Sequence, residues 1–172
     1  MKLHKKTKLA LSEIALFGML GGITFAAKVA MAGLPNIEPV SLFVMLFAVV
    51  FGFKCLYPIY LYVGMELLLY GPGFWNFNYL YAWTVLALLA IAMGKLKNPI
   101  WWALLSGVFG LSFGLLCAPV YLVMGGWQYA LRWWVTGFGF DITHAIGNFC
   151  IALVLFYPLR QLLEKLYARL RK

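Results

Sequence analysis

Residues 40–70 read VSLFVMLFAVVFGFKCLYPIYLYVGMELLLY, and in this stretch Lys54 and Glu66 are the only charged side chains. An apolar face on every side of a helix means burial in a large core or in lipid. The surrounding chain decides for lipid. Of its 172 residues, 65% are hydrophobic and 11% charged, whereas a water-soluble domain carries about 25% charged residues. There are too few polar side chains to cover a water-facing surface. A bilayer crossing takes roughly 20 apolar residues, so the length allows about six to eight crossings and no separate ATPase, kinase or enzyme module.

Working outward, Gly71-Pro72-Gly73 closes the stretch on one side and Gly33-Leu34-Pro35 precedes it on the other. Apolar runs bounded by charge, Pro and Gly predict an all-α fold, a single transmembrane domain over 1–172 with helices at 9–31, 38–53, 55–71, 79–94, 100–124 and 140–165. Pro119 is expected to bend the fifth. A tail beyond Tyr157 is amphipathic, with Leu159, Leu162, Leu163, Leu166 and Leu170 at helical spacing. Lys2 to Lys8, the apolar run and Ala30-Met31-Ala32 imitate a signal peptide. That run exceeds the roughly 7–15 residues of a signal core and carries Glu13 and Lys28, so a retained first helix is expected.

The net charge of +9 follows topology. With six alternating helices, Lys2, Lys5, Lys6, Lys8, Lys54, Lys95, Lys97, Arg160, Lys165, Arg169, Arg171 and Lys172 share one side. That side, with both termini, is expected to be cytoplasmic. No basic stripe interleaves with exposed aromatics, which argues against nucleic-acid binding. Cys55, Cys117 and Cys150 lack metal or disulfide spacing and read as small buried hydrophobes. No metal site is expected.

Two cations, Lys28 and Arg132, fall on the other side. With them, at the outer ends of the predicted helices, lie Asn36, Glu38, Glu66, Asn76, Asn78, Asp141, His144 and Asn148. Ionisable groups within a span cost about 2.5–3.5 kcal/mol on insertion scales and usually pair or line a wet cavity. Asp141, His144 and Asn148 sit at i, i+3 and i+7, as Tyr62, Glu66 and Tyr70 sit at i, i+4 and i+8, so each set shares a helix face. The bland alternative is a structural Lys28–Glu66 pair, a capping Asp141 and an Asn148 bonded to a neighbouring backbone. Trp75, Tyr79, Trp83 and Trp133 belong to an outer aromatic excess that exceeds an interfacial belt and suits a small-molecule pocket.

Gly18, Gly22 and Ala26 make a small-xxx-small stripe on the first helix, a face for close helix approach within the chain or with a partner. Gly110-Leu111-Ser112-Phe113-Gly114 matches the serine-hydrolase pattern but lies inside an apolar helix, where the hydrolase elbow needs a strand-to-helix turn. An intramembrane hydrolase using Ser112 and His144 is the enzymatic alternative, and a proton-coupled carrier using Glu66 and Asp141 is another. No motif for ATP or metal hydrolysis is present.

The chain resembles the substrate-binding S components of energy-coupling factor (ECF) type vitamin transporters. The likeness covers nearly the whole length. It rests on the basic N-terminus, the small-residue first helix, Leu34-Pro35-Asn36-Ile37-Glu38-Pro39-Val40-Ser41, Glu66 with Tyr70-Gly71, the run Tyr79–Trp83, and Phe140-Asp141 with His144 and Gly147-Asn148-Phe149. The resemblance implies a six-helix, non-enzymatic subunit of a prokaryotic plasma membrane with no resident cofactor. It implies capture of a vitamin from outside and docking on a transmembrane scaffold whose two ATPase partners use the ATP. The family's docking stripe falls on Gly18, Gly22 and Ala26, with glycine where alanine is usual. Cobalamin ranks first among ligands, for an aromatic mouth bearing Arg132, Asp141 and His144, with pyridoxine, a thiamine precursor and pantothenate as alternatives.

Overall fold

Helix α2 (Val40–Phe51) is the pivot of the packing, because its sequence leaves it no polar face to present. The computed structural model describes residues 10–34 and 37–170, and among these all regular structure is helical. The other elements are α1 (Leu11–Ala30), a 3₁₀ turn (Gly52–Cys55), α3 (Leu56–Tyr70), α4 (Phe74–Ala92), α5 (Pro99–Leu111) and α6 (Phe113–Leu170). Along α2, Val40, Val44, Met45, Leu46, Phe47 and Ala48 are almost fully buried, packed between α4 and α6. Tyr62, Trp83, Trp102 and Phe156 complete the core from the surrounding helices.

Local chemistry explains the element ends. Asn98 caps α5, its side-chain oxygen accepting from the Ile100 N–H at 3.0 Å, and Pro99 occupies the first turn, where its missing N–H costs nothing. The Asn76 side chain accepts from the Gly73 N–H at 2.6 Å and starts α4. At Gly126, φ is 76° and ψ −177°, a conformation open to glycine at little cost. It divides α6 into arms at 113–125 and 127–170.

Those arms turn 99–170 into a long hairpin. Trp102 stacks on Phe156 with ring centroids 4.3 Å apart, Phe113 meets His144 edge-on at 5.2 Å, and Tyr121 stacks on Trp133 at 3.9 Å. The backbones of the arms approach closely at Gly110, where a Cβ would lie 2.9 Å from backbone atoms of His144 and Ala145. The tip carries its own small cluster of Cys117, Tyr121 and Ala130, separate from the main core.

Three sequence expectations change here. The fifth helix was expected to run 100–124 with a bend at Pro119, but its interruption lies at Ser112, where the close approach at Gly110 sits, and the chain passes Pro119 as helix. The segment between 124 and 140, expected as a connection, is helical apart from Gly126. The fourth helix begins at Phe74 rather than 79, because the Asn76 cap lets the aromatic run Phe74–Tyr79 start the helix.

Among the described residues, four helical stretches are long and apolar enough to cross a membrane: Leu11–Ala30, Val40–Tyr70, Phe74–Ala92 and Pro99–Leu170. Their outward faces are apolar. Leu68 is 87% exposed and Val123 88%, within an extent of bare aliphatic surface that water would not tolerate. The protein is membrane-embedded, with lipid as the solvent of these faces.

Candidate ligand-binding site

Two ionic clusters mark opposite ends of α1. At its start, Lys54 Nζ donates to both Glu13 oxygens at 2.7 and 2.9 Å, and the Tyr167 hydroxyl donates to Glu13 Oε1 at 2.7 Å. At its end, Lys28 Nζ donates to Glu66 Oε2 at 2.7 Å, Tyr79 OH at 3.0 Å and Tyr62 OH at 3.2 Å. Glu38 Oε2 lies 3.6 Å away. The ammonium also lies 5.0 Å from the Tyr79 ring centroid, within cation–π range. Charges so deeply placed persist because each has an opposite charge and a hydrogen-bond partner. Burial lifts the Glu38 carboxyl above the usual carboxylate range, opposed by the Lys28 ammonium.

Above this cluster lies a cavity of about 290 Å³ lined by Lys28, Met31, Ala32, Leu34, Ile37, Glu38, Tyr70, Tyr79, Phe113, Asp141 and His144. The hairpin supplies the last three, Phe113 next to the break at Ser112 and Asp141 and His144 on the facing arm. The Gly114 N–H donates to Asp141 Oδ1 at 3.0 Å, which fixes one carboxylate oxygen. Asp141 Oδ2 and His144 Nε2 are buried and have no hydrogen-bond partner among the described residues. A second cavity of about 450 Å³ is lined by Phe113, Gly114, Cys117, Trp133, Thr136, Gly137, Phe140 and Asp141. Phe113 and Asp141 form the wall between the two.

The sequence-predicted residues divide into three groups. Lys28, Glu38, Tyr79, Asp141 and His144 meet at the first cavity, and Trp133 at the second. Glu66, Trp75, Asn76 and Trp83 support it from behind. Glu66 is 2% exposed and holds Lys28, Trp75 packs edge-on against Tyr79 at 5.1 Å, and Asn76 caps α4. Trp83 is fully buried among Tyr62, Tyr79, Phe109 and Phe113.

Asn148 and Arg132 lie away from both cavity walls. Asn148 Nδ2 donates to Ser41 Oγ at 3.0 Å and to the Ser106 carbonyl at 3.4 Å, a clasp joining α2, α5 and α6. It shares a helix face with Asp141, but α2 covers that face one turn beyond His144. Arg132 is exposed on the hairpin arm and lines neither cavity. Asn36 lies outside the described residues, as do Lys2, Lys5, Lys6, Lys8, Arg171 and Lys172.

The lining residues that sequence reasoning missed are mostly apolar: Met31, Ala32, Leu34, Ile37 and Phe113. Phe113 had been read only as part of a hydrolase-like motif. Tyr70 carried a usable signal, one turn beyond Glu66 on the same face.

The Gly18–Gly22–Ala26 stripe is open. Nothing approaches a Cβ at Gly18 within 4 Å, and at Gly22 only the end of Met65 reaches 4.0 Å. Packing inside the chain uses the neighbouring glycine instead: a Cβ at Gly21 would lie 3.0 Å from the Pro58 carbonyl and collide with Leu61. In the hydrolase-like segment, Gly110 packs on the facing arm and Gly114 bonds Asp141. His144 Nε2 bonds to no hydroxyl, that of Ser112 included. No family model, curated protein or solved structure matches the chain.

Proposed function

We propose that the chain is a membrane-embedded capture subunit for a small water-soluble vitamin, of the kind the resemblance to ECF S components implies. The observation carrying this reading is the first cavity, whose buried Asp141 and His144 atoms lack partners among the described residues. Polar groups left unpaired in a buried site are costly to a merely structural fold. A ligand that bonds them gives that cost a purpose. The cavity, at the small end of the range for small-molecule sites, favours a one- or two-ring vitamin over the corrinoid ranked first from sequence.

Six crossings account for the two ionic ends. The Glu13–Lys54 and Lys28–Glu66 pairs join start to start and end to end, so α1 and α3 run parallel. Ser41 at one end of α2 meets Asn148, and Phe51 at the other meets Tyr167, so α2 runs opposite to α3. With the hairpin counted as two passes and α4 as one, the total is six. Lys54 and Arg160 then fall at the same end, and the positive-inside rule makes that end cytoplasmic in a prokaryotic plasma membrane.

The open stripe on α1 suits close docking of a transmembrane scaffold, with ATP hydrolysis on two further subunits. Calorimetric titration of the purified chain with the B vitamins is expected to show saturable binding of one of them. Absence of binding across the whole group sinks the capture reading. In the assembled transporter, Gly18→Leu with Gly22→Leu is expected to abolish uptake while the isolated chain keeps its affinity. Loss of affinity instead would assign the stripe to packing within the chain.

A further inference from the structure

The first cavity is lined by two carboxyl groups, Glu38 and Asp141, and one ammonium, Lys28, which a third carboxyl, Glu66, holds from behind. An ammonium has three protons to donate. Around Lys28 Nζ, Glu66 Oε2 at 2.7 Å, Tyr79 OH at 3.0 Å and Tyr62 OH at 3.2 Å already receive them, with Glu38 Oε2 at 3.6 Å. A ligand anion would have to break a buried charge pair to reach this cation. The remaining outer cation, Arg132, does not line the cavity. An anion entering here would instead face Glu38 and Asp141.

Asp141 is in the opposite condition. It is 5% exposed, its Oδ1 is held by the Gly114 N–H, and its Oδ2 is buried without a partner among the described residues. The residues that share the first cavity with it offer no free positive charge: Lys28 is committed to its own partners, Glu38 is a carboxyl, and Tyr70 and Tyr79 bring neutral hydroxyls. His144, next on the same face, has its own Nε2 unpaired. The rings of Tyr70, Tyr79 and Phe113 line the same space. A free carboxylate oxygen among aromatic faces recognises positive charge, through a charge-assisted hydrogen bond and the ring quadrupoles.

Resting on the capture reading, we infer that the molecule held here is a small organic cation. It is a protonated amine or a positively charged nitrogen heterocycle whose charge is met by Asp141. The adjoining cavity past Phe113, lined by Cys117, Trp133, Gly137 and Phe140, accepts an apolar or flat extension of the same molecule.

The test is a calorimetric panel on the purified full chain, sorted by charge. Thiamine, pyridoxamine and choline serve as cations, riboflavin and nicotinamide as neutral members, and pantothenate and biotin as anions. Binding confined to the cationic set is expected. Asp141→Asn keeps an oxygen for the Gly114 N–H and removes the charge, and is expected to weaken that binding by about 30-fold or more with an unchanged melting temperature. Binding of a neutral or anionic member, or cation binding that Asp141→Asn leaves intact, overturns the charge assignment and leaves the capture reading standing. No binding by any member overturns the capture reading and this inference with it. The wild-type panel decides the sign of the charge even where Asp141→Asn does not fold.

Discussion

Lys28→Met is expected to lower stability by about 3–5 kcal/mol, the range for removing one partner of a buried ion pair. Glu66 is 2% exposed and its Oε1 has no partner among the described residues, so without the ammonium its charge would be buried with nothing to offset it. Glu38, Tyr62 and Tyr79 lose the same centre. For a chain of this size the loss corresponds to a fall in melting temperature of about 10 °C, measured in one detergent throughout. Adding Glu66→Gln to Lys28→Met is expected to recover part of the stability, since the second change removes the stranded charge. An unchanged melting temperature for Lys28→Met, or no recovery in the double variant, would show that these groups are not energetically coupled.

Gly110→Leu carries the second largest expected effect. A Cβ at this position would stand 2.9 Å from the His144 carbonyl and the Ala145 amide, and backbone cannot swing aside as a flexible side chain does. Overpacking of this kind costs about 1–3 kcal/mol or more. The displacement falls on the arm that carries Asp141 and His144, so binding is expected to be lost along with stability. Gly18→Leu is the matched control: nothing lies within 4 Å of its Cβ, and both melting temperature and affinity of the isolated chain are expected to stay as in the parent. Equal behaviour of the two variants would contradict the close contact of the hairpin arms.

Some of the site was legible in one dimension. Lys28 and Glu66 stood out as charges inside apolar runs, and their pairing across α1 and α3 is what lipid demands of such charges. The helical period put Asp141, His144 and Asn148 on one face. It carried no information on what that face meets. One turn decides the difference: Asp141 and His144 look into the cavity, while Asn148 is covered by Ser41 and Ser106. Arg132 looked equivalent to Lys28 as a cation on the wrong side, yet it rides on the exposed hairpin arm. The apolar lining of Ile37, Leu34 and Phe113 gave no sequence signal, because an aliphatic or aromatic residue beside a ligand is indistinguishable from one in the core.

Composition and hydrophobic period therefore determined what a single segment can determine: that the chain is helical, that its helices face lipid, and where charge is out of place. These depend only on local geometry and on the cost of moving a side chain from water to hydrocarbon. Tertiary structure alone decided which charges meet, that the helix breaks at Ser112 rather than Pro119, and that the Gly110 contact brings Asp141 against Gly114. Such matters depend on which helices touch and at what height, and residues far apart in sequence set that height through their packing.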